Sequence, residues 1–284
     1  MKGYASRVYI ITVNWNGWRD TLECLASLER LDYPNYEIVV IDNRSTNESE
    51  SRIRRAYPST TLLQTGENLG FAGGNNVGIK YALEQGAEYV WLLNNDTVVD
   101  PGALTAMVNV LQDDMSIGVV GSMLFSMHEP DRLQVYGGGW VSMYTGLSRP
   151  FIASTPANKL QYIVGASLLV RREVLENVGL LDDNYFMYWE DADYGFRVRK
   201  AGWRLMAAPG SKIWHKEFAA LGNKSPVLDM YFSTSAVRFF KRHSLLPLLP
   251  ISIAAGGRLL KRAVRGEWKR ASAVWQGTSA GWRR

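Results

Sequence analysis

Cys24 is the only cysteine in the chain, which excludes an internal disulfide framework and fits a reducing compartment. No run approaches the roughly 18 apolar residues of a membrane span, so no spanning helix is expected. The N-terminus passes almost directly into Val8-Tyr9-Ile10-Ile11-Thr12-Val13. That leaves no room for a signal h-region followed by a cleavage site, and the run reads as a first strand of a cytoplasmic protein. Carboxylates are nearly missing from the C-terminal part. From Arg238 onward eleven Lys and Arg, ending in Arg283 and Arg284, face Glu267 alone. The whole chain carries a net +5, so the residues before Arg238 are acidic on balance. A basic tail on an acidic body points to an anionic surface as partner. Nucleic acid is not expected, because the body is acidic and shows no nucleic-acid fold motif.

What is present is an ample core. Hydrophobic residues make up 46% of 284 residues, enough for one large α/β domain or two small ones. Buried-strand patterns occur at residues 8–13, 36–41, 61–64 and 88–93, alternating with helical spacing at 18–31, 49–57 and 76–85. That rhythm predicts a Rossmann-like, mostly parallel sheet flanked by helices. Beyond Asp100 the reading gives a helix at 103–111, strands at 117–122 and 162–170, helices at 172–178 and 191–201, and edge strands at 203–208 and 212–215. Residues 137–158 are rich in Gly, Ser and Pro and read as a mobile loop, either a lid or an acceptor loop.

Polar residues gather where these strands end. Ligands of open α/β sheets bind outside the carboxyl ends of the strands, so those ends are the candidate sites. The first strand ends in Asn14-Trp15-Asn16-Gly17, the second in Asp42-Asn43-Arg44-Ser45, and the fourth in Asn94-Asn95-Asp96. Asp96 suits a divalent cation bridging protein and phosphate, since Mg²⁺ and Mn²⁺ take carboxylate, carbonyl and water ligands. An Asx-rich turn and, for Asp42, a helix N-cap are the alternatives. Asn68-Leu69-Gly70-Phe71-Ala72-Gly73-Gly74-Asn75-Asn76 reads as a tight loop that lets backbone approach a ligand ahead of a helix N-terminus. Glu190, Asp191 and Asp193 follow the aromatic run Tyr185-Phe186-Met187-Tyr188-Trp189, at the predicted start of a helix. Helix capping accounts for such an acidic first turn as readily as catalysis does.

Taken together, the motifs Val13-Asn14-Trp15-Asn16-Gly17, Asp42-Asn43-x-Ser45, Asn68 to Asn75, Leu93-Asn94-Asn95-Asp96, Gly165-Ala166-x-x-Leu169 and Trp189-Glu190-Asp191-x-Asp193 carry a resemblance. In this order they resemble the inverting GT-A glycosyltransferases of family 2, and among them the bacterial rhamnosyltransferase branch, over roughly residues 6 to 220. The resemblance implies a GT-A fold, a nucleotide-sugar donor, Mg²⁺ or Mn²⁺, and direct displacement with inversion. Asp42 would then bond the pyrimidine base, with Asn14, Asn16, Asn68, Gly70, Gly73 and Asn75 also on the donor side. Asn94, Asn95 and Asp96 occupy the family's DxD position, Asp96 supplying the metal carboxylate and Asn94 replacing the first acid, which removes one charge. His215 matches a further metal ligand, against the more ordinary structural histidine. Asp191 would be the catalytic base, with Glu190 orienting it or bonding the acceptor. Gly165, Ala166, Tyr188 and Trp189 fall on the acceptor side, where core packing is the alternative for both aromatics. The expected reaction moves L-rhamnose from dTDP-L-rhamnose to a hydroxyl of a glycan or polyprenyl-linked glycan in cell-surface polysaccharide synthesis. Galactofuranose, glucose or an N-acetylhexosamine from a UDP- or dTDP-donor is the alternative. Nucleotidyltransfer to a sugar phosphate would call for a basic N-terminal nucleotide loop, which Asn14-Trp15-Asn16-Gly17 does not provide.

Residues 1–235 are expected to form the catalytic domain, with a nucleotide-binding half to 100 and an acceptor half beyond. Residues 236–284 form a basic tail. Leu260, Val264, Trp268, Ala271 and Trp275 fall on one face of a helix over 258–275, and Arg258, Lys261, Arg262, Arg265 and Lys269 on the other. This predicts a peripheral anchor at the inner face of the cell membrane. Packing on the body or on a second subunit is the other reading.

Overall fold

The structure, a computed structural model, describes residues 5–216 and 225–283. Residues 1–4 and 217–224 of the expected catalytic domain, with the end of the resemblance at 217–220, and the last tail residue Arg284 lie outside them. The first half alternates as the pattern predicts: β1 (Val8–Asn14), α1 (Trp18–Leu28), β2 (Tyr36–Asp42), α2 (Ser49–Ala56), β3 (Thr61–Gln64), α3 (Gly70–Glu84) and β4 (Tyr89–Leu93). Strands β3, β2, β1 and β4 lie side by side and parallel, with Asn14 directly opposite Asp42. Every residue of β4 is buried, as a strand covered on both faces must be.

The glycine-rich segment differs from the expected loop. From Gly70 on it is the opening of α3 itself, in which Gly74 faces Val13 of β1 and Gly78, a turn further on, faces the same strand. A Cβ on Gly78 would overlap the Ile11 side chain of β1, so only glycine lets the helix lie this close.

The second half is less regular: β5 (Thr97–Val99), α4 (Ala103–Asp113), β6 (Ile117–Ser126), β7 (Leu133–Tyr136), β8 (Gly138–Val141), β9 (Ser148–Pro150), β10 (Tyr162–Ile163), β11 (Ser167–Arg171), α5 (Arg172–Val178), α6 (Glu190–Lys200) and β12 (Arg204–His215). The large sheet continues from β4 through β11, β6 and β12 to β5, with β11 and β5 antiparallel to their neighbours. Three expectations need correction. Residues 137–158 are not a structureless loop, because β8 pairs with both β9 and β10 in a small second sheet. The strand expected at 162–170 is broken at Val164-Gly165-Ala166, so β10 and β11 serve different sheets. The two edge strands are one strand, β12, which is irregular between Ala208 and Lys212.

The chain ends in three helices, α7 (Pro226–His243), α8 (Leu248–Val264) and α9 (Trp268–Arg283). The division expected after residue 235 falls inside α7. Pro247 and Pro250 do not prevent α8, since they stand at its N-cap and in its first turn, where no intrahelical N–H partner is lost. The single amphipathic helix expected over 258–275 does not form. The chain turns at Arg265-Gly266-Glu267 with Gly266 at φ +68°, so residues before and after share no continuous face. None of the described helices is long and apolar enough to cross a membrane. Helix α9 lies tight on α7, where Thr234 Oγ1 donates to the Gly277 carbonyl at 3.1 Å. A Cβ on Gly277 would run into the Met230 backbone.

Candidate active site

Three strand ends build the side expected to take the donor. Opposite one another in register, Asn14 and Asp42 are both buried, and Asn14 Nδ2 donates to Asp42 Oδ1 at 2.7 Å and to Ser45 Oγ at 3.0 Å. Asn14 Oδ1 accepts from Gly17 N and Thr21 Oγ1. Asp42 accepts further bonds from Ser45 Oγ, Ser45 N and Gln64 Nε2 at 2.6, 3.2 and 2.9 Å. A carboxylate offers about four acceptor sites, and here all are filled. Bonding a base therefore requires Ser45 or Gln64 to yield one. Asn14 is spent on holding the loop, which replaces a direct donor contact by a supporting one. The same correction holds for Asn75, buried in α3 with its Nδ2 on the Phe71 carbonyl at 2.9 Å. Asn16, at φ +57°, accepts from Thr46 N at 2.8 Å and so ties the loop after β1 to the loop after β2. Asn68 Oδ1 receives Gly70 N and Asn43 Nδ2, both at 3.0 Å. Gly73 stands within α3, against Leu69.

The turn after β4 is set by the strands around it. Thr97 of β5 pairs with His215 of β12, which brings His215 Nε2 to 3.2 Å from Asp96 Oδ1 and 3.3 Å from Asn94 Nδ2. Both ionisable side chains are about seven-eighths buried, 13% of His215 and 12% of Asp96 being exposed. Adjacent ligands of an octahedral Mg²⁺ or Mn²⁺ stand about 3 Å apart for bonds near 2.1 Å, so this pair fits two neighbouring positions. No cluster of three His, Cys, Asp or Glu with metal-holding geometry occurs among the described residues. An ion here would take its remaining ligands from phosphate oxygens and water. Asn95 turns the other way, donating to Thr21 Oγ1 at 2.9 Å.

A short hydrogen-bonded path joins this turn to the acidic pair. Asn94 N donates to the Ala166 carbonyl at 3.0 Å, and Gly165 N donates to Asp191 Oδ2 at 3.1 Å. Gly165 and Ala166 are thus the bridge between the two carboxylate centres. The donor-side segment docks there too. Phe71 N donates to the Phe186 carbonyl at 2.8 Å, and Gly70, at φ +72°, has no space for a Cβ beside that carbonyl.

Glu190 and Asp191 open α6 after two left-handed residues, Tyr188 at φ +68° and Trp189 at φ +69°. Bulky residues rarely hold that conformation, and it persists where surrounding structure over-determines it. Here Phe232, Phe239 and Phe240 of α7 pack on Trp189 with ring centroids 4.9–5.4 Å away, and Ser235 Oγ donates to the Met187 carbonyl at 2.9 Å. Trp189 is therefore a core residue, 4% exposed, and offers no free face to a sugar. Tyr188 is half-buried beside Phe232, with centroids 5.7 Å apart. Asp193 is fully buried and structural, held by Arg197, Arg242 and His243 at 2.8, 3.1 and 2.7 Å. Burial pushes its carboxyl upward, but these hydrogen bonds and charges bring it net below the ordinary range.

The neighbouring pair shifts the other way. Burial raises Asp191 against the backbone N–H groups of Gly165 and Ala192, which favour its ionised form. Glu190 is raised well above the usual carboxylate range, by burial first and by the Asp191 charge second, and its Oε2 has no hydrogen-bond partner. The arrangement keeps Asp191 as the anion and Glu190 as its protonated neighbour. A group raised on folding stabilises fully below its unfolded value, and the contribution is lost as pH rises through the folded one. Glu190→Gln is therefore expected to raise Tm at pH 8, by about 2–4 °C for each kcal/mol recovered. The gain should vanish near pH 4, and an equal gain at both pH values in thermal melts would refute the protonation assignment.

Several supporting residues carry no signal at sequence level. Gln64 meets Asp42 through pairing across the sheet, Thr21 reaches Asn95 from α1, and His243 reaches Asp193 from α7, fifty positions away. Asn43 stands within the quoted Asp-Asn-x-Ser motif, yet its clamp on Leu69 N and the Gly70 carbonyl is visible only in three dimensions.

Comparison with known proteins gives the family and the fold. The profile of the family described as "Glycosyltransferase like family 2" matches residues 6–226. The chain is 26% identical to the N-acetylglucosaminyl-diphospho-decaprenol L-rhamnosyltransferase of Mycobacterium tuberculosis, over 84% of this chain and 86% of that one. It is 25% identical to a dTDP-rhamnosyl transferase of Shigella flexneri, over 78% of this chain and 71% of that one. Among solved structures, a mannosyltransferase from Pyrobaculum calidifontis in complex with GDP-Man and Mn²⁺ superposes with a TM-score of 0.61 at 19% identity, covering 98% of this chain and 74% of that one. The fold is GT-A-like, a mostly parallel sheet flanked by helices.

Proposed function

The chain belongs to the glycosyltransferase-like family 2, and from that premise we propose that it moves L-rhamnose from dTDP-L-rhamnose, with inversion, onto a hydroxyl of a polyprenyl-linked or other glycan acceptor. The observation that carries the reading is the hydrogen-bonded path Asn94–Ala166–Gly165–Asp191, which joins a metal-competent pair to a half-buried base. Asp191 takes the proton of the acceptor hydroxyl as that oxygen attacks the anomeric carbon. The bond from that carbon to the diphosphate breaks, and its electron pair leaves with the nucleotide. One base and no protein nucleophile give a single displacement, unlike the two-carboxylate double displacement of retaining enzymes. Asp96 and His215 would hold Mg²⁺ or Mn²⁺, which neutralises charge on the departing diphosphate. Asn94 would give up its contact with His215 Nε2 to the ion, and Asp42 with Ser45 and Gln64 orders the base end of the donor pocket. The relatives' activities support a dTDP-sugar donor, and a lipid-linked acceptor fits work at the inner face of the cell membrane.

Thermal shifts with a panel of nucleotide sugars, with and without Mn²⁺, test the donor. At about a hundred times Kd a ligand adds roughly 2.7 kcal/mol, which is several degrees. dTDP-L-rhamnose is expected to raise Tm only with Mn²⁺, and Asp96→Ala should abolish the rise. A rise with a UDP-sugar alone overturns the donor and keeps the mechanism. A rise that persists in Asp96→Ala and in chelator overturns the metal pair.

A further inference from the structure

Helix α8 is turned opposite to an ordinary surface helix. Its exposed positions, 248, 249, 252, 253, 256, 257, 260, 261 and 264, form one face that is apolar except for Ser252 and Lys261. Leu248, Ile253, Leu260 and Val264 are 67%, 47%, 66% and 79% exposed, and Leu245, just before the helix, is 100% exposed. The arginines point inward instead. Arg258 and Arg262 of α8 and Arg270 of α9 converge on buried Asp229 of α7 at 2.8, 3.0 and 2.6 Å. Glu267 is drawn into the same cluster through Arg262 and Arg270. This cluster fixes the rotation of α8 about its axis, so the apolar face is held outward and is not the product of a loose helix.

We infer that this outward face of α8 seats on an anionic lipid bilayer. Charge selects the occupant. Lys261, Arg265 and Lys269 are exposed around the face and have no ion-pair partner among the described residues. The only carboxylate after Asp229 is Glu267, already paired inward. A second copy docking through this face would bring like charges together with no carboxylate to offset them. An anionic leaflet supplies the missing charge, while Leu, Ile and Val side chains enter the interfacial layer. Arg258 and Arg262, expected with Lys261, Arg265 and Lys269 on the polar face of an anchoring helix, are instead paired inward. The tip between β8 and β9 extends the surface, since Gly146 rests against Pro250 and Ala254 while Tyr144 is 75% exposed. On its inner side α8 contributes Ile251 to the aromatic cluster that holds Trp189, so the docked face and the catalytic loop share one packed core. The inference names the partner surface for the lipid-linked acceptor reading and depends on that reading only for its purpose.

The test is co-sedimentation of the full chain with acceptor-free vesicles of phosphatidylglycerol and phosphatidylcholine, or of phosphatidylcholine alone. The wild type is expected to pellet with the anionic vesicles. Leu248→Ser/Ile253→Ser/Leu260→Ser should lower partitioning at least tenfold. Lys261→Gln/Arg265→Gln/Lys269→Gln should lower it about fivefold per charge, an effect that salt removes in the wild type. Both variants change exposed residues, and their thermal shift with nucleotide sugar should match the wild type, which separates loss of docking from loss of donor binding. Absence of pelleting by the wild type, or pelleting unaffected by the serine substitutions, overturns the inference. A dimer in sedimentation velocity that the serine substitutions dissociate assigns the face to a second copy and overturns it as well.

Discussion

Asp191→Asn is expected to lower kcat by about 10²–10⁴-fold, the range for loss of a positioned general base, with little change in donor affinity. Asparagine preserves the shape, and its one amide oxygen can still accept from one of the two N–H groups, Gly165 N or Ala192 N, that orient Asp191 through separate oxygens. It cannot take a proton from the acceptor. The loss should therefore appear in kcat, while calorimetric Kd for the donor stays within about twofold. The pH profile gives an independent check. The base must be ionised, and burial raises its folded value above the ordinary carboxylate range. Activity should accordingly fall as pH drops through a value higher than that of a free aspartate, and Asp191→Asn should erase that acidic limb from whatever rate remains. A variant that keeps full kcat, or an acidic limb that survives in it, removes Asp191 from the role of base.

The donor half was largely legible because its logic is local. Strands β1, β2 and β4 are short apolar runs, and parallel strands with crossover helices deliver their polar ends to one edge of the sheet without further information. The pairing of Asp96 with His215 was not visible from spacing. It depends on β5 and β12 meeting antiparallel across more than a hundred residues of chain, with Thr97 opposite His215. The small sheet of β8, β9 and β10 was hidden by its glycines. A Cβ on Gly138 or Gly139 would collide with backbone of the paired strand, so residues that read as loop are there to permit close pairing. Trp189 misled for another reason. An aromatic beside a catalytic carboxylate suits sugar stacking, and only the three phenylalanines of α7, more than forty positions on, show that its faces are occupied.

The tail failed for a reason that leads to a stability measurement. Helical periodicity sorts apolar from basic positions, but it does not say which set faces inward. That depends on Asp229, a buried carboxylate 29 residues before Arg258 and 41 before Arg270. Removing one partner of such a cluster leaves uncompensated buried charge, at a cost of about 3–5 kcal/mol. Asp229→Ala is expected to lose that much in denaturant titration, and Asp229→Asn somewhat less because its amide oxygen still accepts. The pH dependence follows from the direction of the shift. Burial pushes the Asp229 carboxyl up, but bonds from Arg270, Arg262 and Arg258 hold it net below the ordinary value. Its contribution is full above the unfolded value and is lost as pH falls through the folded one. The gap between wild type and Asp229→Asn should then be widest near neutrality and close as the solution becomes strongly acidic. The three arginines are 29%, 14% and 12% exposed, so water relieves Arg258 more than the other two. Arg258→Met in the Asp229→Ala background should recover part of the loss, because Arg258 pairs with Asp229 alone among the described residues, whereas Arg262 and Arg270 keep Glu267. If Asp229→Ala costs less than about 1 kcal/mol at pH 7, the cluster does not hold α8 and α9 against α7, and the fixed outward face of α8 loses its physical cause.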